Sequence, residues 1–123
     1  MSRYKVEING YTIQEYEKLS HQETMNLLDQ YHQTNDENIK EKLVLSNLKL
    51  VLSLVQKYHQ RVSNLDDLFQ VGVIGLIKAI DHFDTSLDVR FSTYAVPLII
   101  GEIKRYIRDN SPMRIPRSMR DLA

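Results

Sequence analysis

The chain has no cysteine and no tryptophan among its 123 residues, and only three prolines and four glycines. Without thiols there is no disulfide framework, no thiolate zinc site and no thiol nucleophile, and the composition fits a reducing compartment. Without tryptophan, any aromatic surface must come from three phenylalanines and seven tyrosines. No apolar run approaches the ~18 residues that a membrane span requires. Met1-Ser2-Arg3-Tyr4 is not followed by an apolar signal core, so a cytoplasmic protein without membrane contact is expected.

Net charge is missing too, because sixteen basic and sixteen acidic residues cancel. That argues against a uniformly basic nucleic-acid coat, but the two signs are segregated. From Arg90 to Ala123 seven Lys or Arg stand against three acids, leaving nine basic and thirteen acidic residues before them. A negative body followed by a positive end points to a polyanion-facing terminus.

Enzyme motifs are also lacking. His21, His32, His59 and His82 never fall at i, i+4 around a glutamate, so no metal site is expected. No glycine-rich phosphate loop follows a strand, and no cofactor is implied. Asp66 and Asp67 are neighbours on a helix, about 100° apart, and suit a helix start better than acid–base chemistry.

What is present is helical periodicity. With 42% apolar residues the chain can build one domain around a single core. Val6, Ile8, Tyr11 and Ile13 flank Asn9-Gly10, a two-residue hairpin signal. Strands so short do not hold alone in water, so residues 1–19 are expected to be flexible or ordered by a partner. Ser20-His21-Gln22-Glu23 is a capping box opening a helix to about Gln33. From about Glu37 to Gln60 one long helix is expected, with Ile39, Leu43, Val44, Leu48, Val51, Leu52, Val55 and Tyr58 in its stripe. Asn47 lies among those apolar residues, either as a satisfied bundle asparagine or as a functional one.

Ser63 and Asp66 offer a second capping box for a helix to about His82. Gly72 and Gly75 share one face of that helix and imply a close approach, inside the bundle or with a partner. Residues 84–89 form a loop, and Ser92 is expected to cap a last helix to about Asp109, with Pro97 near its first turns. Asn110-Ser111-Pro112 stops it. Ser118 and Asp121 then look like the start of a further helix, as though another module should follow.

Arg90, Phe91, Tyr94, Lys104, Arg105 and Arg108 have the chemistry that holds single-stranded nucleic acid, aromatic faces for bases and cations for phosphates. Phe83, Phe91 and Tyr106 suit a core equally well. Spacing therefore leaves two readings open, nucleic-acid binding and a helical regulatory module that touches only protein.

Three runs bear on that choice: Asn47-Leu48-Lys49-Leu50-Val51, then Asp67-Leu68-Phe69-Gln70-Val71-Gly72 with Ile74-Gly75-Leu76, then Arg90-Phe91-Ser92-Thr93-Tyr94-Ala95. In this order they resemble the second conserved region of bacterial sigma factors of the sigma-70 family, from about Glu41 to Ile115. Tyr94-Ala95-Val96-Pro97-Leu98-Ile99-Ile100-Gly101-Glu102-Ile103 resembles the sporulation and general-stress branch. The opening Met1-Ser2-Arg3 with Lys5-Val6-Glu7-Ile8 resembles its late forespore members.

The resemblance implies an all-α bundle of about four helices, with a flexible segment at 1–19, the region-two domain at 20–110 and the start of a linker at 111–123. It implies a transcription initiation factor, not an enzyme, whose partners are core RNA polymerase, promoter DNA and an anti-sigma factor. Asp67, Gln70, Val73 and Ile77 would meet the clamp helices of the largest polymerase subunit. Val71 and Val73 stand where housekeeping members carry Glu and Asn. Phe83, Asp84, Phe91 and Tyr94 would form or approach the pocket for a flipped base of the minus-ten non-template strand. Arg90, Lys104, Arg105 and Arg108 would hold phosphates, and Gly101 with Lys104 would read the upstream edge of the hexamer. The apolar runs Leu43–Val55 and Leu68–Ile80 would be anti-sigma targets, though both also suit a plain bundle core. Housekeeping members stack a tryptophan pair at the edge of the melted region, and Pro97 and Leu98 stand there instead.

Overall fold

The amphipathic segments form helices, and three of them open on a side chain that satisfies the first amides. The computed structural model describes residues 6–8, 11–13, 18–58 and 64–110. In chain order they form strands β1 (Val6–Ile8) and β2 (Tyr11–Ile13), then helices α1 (His21–Thr34), α2 (Glu37–Ser46), α3 (Leu48–Gln56), α4 (Leu65–His82) and α5 (Phe91–Asn110). The body is all-α as expected, with five helices where about four were expected. The two strands pair antiparallel with Ile8 opposite Tyr11, the register of a two-residue loop. Asn9 and Gly10 themselves lie outside the described residues.

The capping box at Ser20 forms in both directions. The Ser20 hydroxyl accepts from the Glu23 amide at 3.1 Å, and the Glu23 carboxylate accepts from the Ser20 amide at 2.9 Å. These bonds to Ser20 hold the Glu23 carboxyl below the usual glutamate range. α1 stops because Asn35 turns left-handed, φ 55°, while its amide still donates to the Tyr31 carbonyl at 2.7 Å. Asp36 then caps α2 by accepting from the Asn38 amide at 2.9 Å.

The single helix expected from Glu37 to Gln60 is in fact two. Asn47 interrupts it, with φ −115° and ψ 8°. Its side-chain amide donates to the Leu43 carbonyl at 2.8 Å, taking the acceptor that its own backbone amide would use in a continuous helix. The backbone amide turns to the Val44 carbonyl at 3.0 Å, and the Asn47 carbonyl accepts from the Val51 amide to start α3. Asn47 is therefore a satisfied asparagine that also sets an angle. α3 ends at Gln56, and Gln60 lies outside the described residues.

Two cap assignments shift, by one residue at α4 and by two at α5. α4 is capped by Asn64, whose side-chain oxygen accepts from the Asp66 amide at 2.9 Å and the Asp67 amide at 3.3 Å. Ser63 lies outside the described residues. α5 starts at Phe91, so Ser92 sits inside its first turn, and the Arg90 carbonyl accepts from the Tyr94 amide at 3.3 Å.

α4 is the axis of the bundle, packed on α3 and α5. A Cβ added at Gly75 would lie 2.7 Å from the Ile99 Cα and 2.9 Å from the Leu98 carbonyl, so α5 passes backbone to backbone. At Gly72 it would meet Val51 Cγ1 at 2.7 Å and Val55 Cγ2 at 3.2 Å, both from α3. Both glycines serve contacts inside the bundle, and that settles the choice their spacing left open. Pro97 lies inside α5 on its exposed side. The carbonyl it leaves without an amide partner belongs to Thr93, which is exposed too.

α1 is fastened to the far end of α4 by three polar contacts. Tyr31 Oη donates to Asp81 Oδ1 at 2.8 Å, and His32 Nε2 donates to the Ile80 carbonyl at 2.8 Å. Thr85 Oγ1, in the loop after α4, donates to Asp29 Oδ1 at 2.5 Å. The last of these ties the α4–α5 loop to α1.

Candidate nucleic-acid and protein interface

Three rings meet where α4 hands over to α5. Phe83 closes α4 in an extended conformation, φ −66° and ψ 133°, its amide donating to the Ala79 carbonyl at 2.9 Å. Its ring lies edge-on to Phe91 at 5.6 Å and to Tyr94 at 5.2 Å between centroids, geometries that favour aromatic pairs. Phe83 is only 2% exposed and Phe91 3%. Neither is open to solvent, so of the three rings expected to line or approach the pocket only Tyr94 is partly exposed. They are the floor on which the half-buried Tyr94 stands.

Asp84 is exposed, but its carboxylate is engaged. Oδ1 accepts from the Ser86 amide at 2.9 Å and from the Ser86 hydroxyl at 2.7 Å, and these bonds hold its carboxyl below the usual aspartate range. It shapes the loop. Leu87 and Val89, further along, are exposed apolar side chains.

Beyond Tyr94, α5 divides by its helical period. Phe91, Ala95, Ile99, Ile103 and Ile107 enter the core. Thr93, Pro97, Gly101, Lys104, Arg105 and Arg108 are exposed at the complementary spacing, with Arg90 exposed just ahead of the helix. The middle of this stripe has little side chain, and a Cβ at Gly101 would meet nothing within 4 Å. Its end is cationic. Arg108 Nε pairs with Asp109 at 2.9 Å, and Arg105 Nη2 pairs with Glu102 Oε1 at 2.6 Å. The second Glu102 oxygen holds Lys78 Nζ of α4 at 2.7 Å. Of the two residues expected to stand where housekeeping members carry tryptophan, Pro97 is exposed and Leu98 half-buried against the core.

The four residues expected to face a protein partner do not form one surface. Asp67 and Gln70 are exposed and Ile77 is half-buried, but Val73 is 5% exposed and belongs to the core. Val73 lies about 100° round the helix from Ile74 and is packed into the core. Ile74 is an exposed residue of this line that the sequence reading did not single out. It is 48% exposed, between Gln70 and Lys78. The signal was available, because Asp67, Gln70, Ile74 and Lys78 recur at i, i+3, i+7 and i+11, and the isoleucine interrupts a polar line. Tyr106 ties this face to the end of α5, its hydroxyl donating to Asp67 Oδ2 at 3.4 Å. Burial, then the nearby Asp67, pushes that phenol above its usual range. The runs Leu43–Val55 and Leu68–Ile80 supply most of the bundle core, so as wholes they are not open targets for a partner.

Residues 43–112 match the family description Sigma-70 region 2. The chain belongs to the sigma-70 family. It is 54% identical over all 123 residues to the RNA polymerase sigma-G factor of Bacillus subtilis, covering 47% of that protein. It is 52% identical over 119 residues, 97% of this chain, to the sigma-G factor of Clostridium acetobutylicum, covering 46% of it. With the sigma-F factor of Bacillus subtilis it shares 50% identity over 90 residues, 73% of this chain and 35% of the other. The chain thus spans about half the length of these sigma-G relatives, and its region-two match contains both exposed faces. Among the described residues no group of side chains is set to hold a metal ion, and no helix is long and apolar enough to cross a membrane.

Proposed function

We propose that this chain is the polymerase-docking and promoter-melting part of a transcription initiation factor of the sporulation type. The observation that carries this reading is the start of α5, where Tyr94 rests on the buried Phe83 ring, 5.2 Å away, ahead of a bare helical stripe that ends in cations. An aromatic ring with one side fixed in the protein and the other toward solvent is a platform for a single base. Arg90, Lys104, Arg105 and Arg108 supply phosphate contacts on either side of it. Gly101 and Lys104 lie against the upstream edge of the minus-ten hexamer of the non-template strand. Phe83, Phe91 and Asp84 act one step removed, by fixing the ring and the loop.

The α4 line of Asp67, Gln70, Ile74 and Ile77 is the docking face for the clamp helices of core RNA polymerase. An exposed isoleucine in a polar rim is the common anatomy of a protein contact. An anti-sigma factor that covered this line would block docking, and forespore genes are the targets that fit the sigma-G likeness.

A fluorescence-polarisation titration with a single-stranded minus-ten oligonucleotide, with and without core polymerase, tests both halves. Sequence-preferring binding that Tyr94→Ala weakens supports the DNA contact. Binding to polymerase alone, untouched by Tyr94→Ala, would leave a regulatory module that reads only protein. Ile74→Asp should leave the fold intact and remove the clamp subunit from a pull-down. Undiminished capture would move the docking face elsewhere.

A further inference from the structure

Glu102 stands in the DNA-facing helix with two cations on one carboxylate. Lys78 Nζ reaches one oxygen at 2.7 Å and Arg105 Nη2 the other at 2.6 Å. The carboxylate side chain is largely covered, 15% exposed, while its partners are 49% and 56% exposed. The Lys78 bond, more than the Arg105 bond, holds its carboxyl below the usual glutamate range, so it is charged at neutral pH. A fixed negative charge therefore sits beneath two cations that reach over it from the solvent side.

We propose that Glu102 is a positioning residue that restrains Arg105, so that a DNA phosphate must compete with a resident carboxylate for the guanidinium. This rests on the reading of α5 as the phosphate-facing helix. Sequence-independent affinity comes from cations neutralising phosphates and releasing counterions. A cation already paired contributes less of it, because the pair must be exchanged or shared. Glu102 thereby lowers non-specific attraction at the basic end and leaves more of the discrimination to the base platform at Tyr94. A carboxylate serving only to staple α4 to α5 would affect stability and leave the salt dependence of DNA binding unchanged.

The test is a double-mutant cycle on the full chain bound to core polymerase. Its probe is a fluorescein-labelled single-stranded minus-ten oligonucleotide, titrated from about 50 to 200 mM salt. Glu102→Gln should tighten binding about two- to fivefold at the low-salt end, the range for releasing an exposed ion pair. It should also steepen the slope of log affinity against log salt by about 0.7, one further phosphate on a single strand. Arg105→Gln should weaken binding, and the double variant should match Arg105→Gln alone. Should Glu102→Gln reduce helicity, Glu102→Met, which needs no ionic partner, carries the same expectations. If Arg105→Gln weakens binding but Glu102→Gln changes neither affinity nor slope, the restraint is refuted and the phosphate-facing reading stands. The restraint is equally refuted if Glu102→Gln tightens binding as much without Arg105, which would be net charge alone. If Arg105→Gln has no effect, the phosphate-facing reading fails, and this proposal with it.

Discussion

α4 and α5 lie against each other backbone to backbone, yet they spend their surfaces differently. α4 is buried on most of its circumference, and what it leaves exposed is a narrow line from Asp67 to His82 with one isoleucine in it. α5 buries one stripe and leaves the opposite one thin in its middle and cationic at its end. The glycines register the contrast. Gly72 and Gly75 are required by neighbours a Cβ would strike, whereas Gly101 faces open space. A costly residue explained by packing belongs to the fold. One that packing does not explain fits the proposed DNA-facing surface.

The strongest way to break the comparison is at the hinge between the two helices. Phe83→Ala should cost about 3–5 kcal/mol, the usual penalty for emptying a phenylalanine site, because the ring is buried and touches both Phe91 and Tyr94. Urea denaturation reads it directly. A loss below ~1 kcal/mol would mean that the ring is not core, and the base-pocket role would return to it.

Gly75→Ala comes next. Adding a methyl group against backbone forces α4 and α5 apart, at a cost of ~1–3 kcal/mol, less up to ~1 kcal/mol regained in helix propensity. Gly72→Ala should cost less, since its nearest neighbours are the side-chain methyls of Val51 and Val55, which can turn. Equal midpoints in denaturant for the two variants would contradict the backbone-to-backbone crossing.

Both glycines could be read from the sequence as a close contact, but whether the neighbour was internal or foreign could not. Period and caps carry information about one helix at a time. That is why the capping box at Ser20 and the end of α4 at His82 were legible. It is also why the break at Asn47 was not, since an apolar stripe crosses it without a glycine or proline. An amide donating to the carbonyl four residues back leaves no trace in periodicity. At the candidate site the family likeness pointed to an aromatic cluster that the structure brings together, but it could not say which ring keeps a free side. Burial assigns Tyr94 that place and removes Phe83 and Phe91 from it. Val73 failed for the same reason, since one position along a helix is a rotation of about 100°.

Tyr94→Ala should separate binding from folding. Loss of a stacking platform weakens single-stranded minus-ten binding by about 5- to 150-fold, from ~1–3 kcal/mol per base. The half-buried ring should contribute less to stability than Phe83 does. A variant that loses stability as Phe83→Ala does, with binding falling only in step with the folded fraction, would place Tyr94 in the core.

The tryptophan positions test the stripe with a smaller effect. Pro97 is exposed and Leu98 half-buried, so the two are not equivalent. Pro97→Trp should be accommodated at the surface and broaden promoter use in open-complex footprinting, by adding an aromatic face beside the melted strand. Leu98→Trp must repack against the core and should lower the melting temperature. Unchanged footprints with both tryptophans in place would show that the wedge does not set promoter range here.

Gly101→Ala carries the smallest effect and the opposite sign. Nothing lies within 4 Å of the added Cβ, so the helix gains up to ~1 kcal/mol in propensity, and the melting temperature should rise. On the proposed reading of α5, binding of the minus-ten strand should fall at the same time, because the methyl group would stand between the helix and the DNA edge. Stability and function then part in opposite directions at one residue, as they do where a protein keeps a costly residue for a partner. If melting temperature and affinity rise together, no partner approaches Gly101 closely, and the bare middle of α5 is only surface.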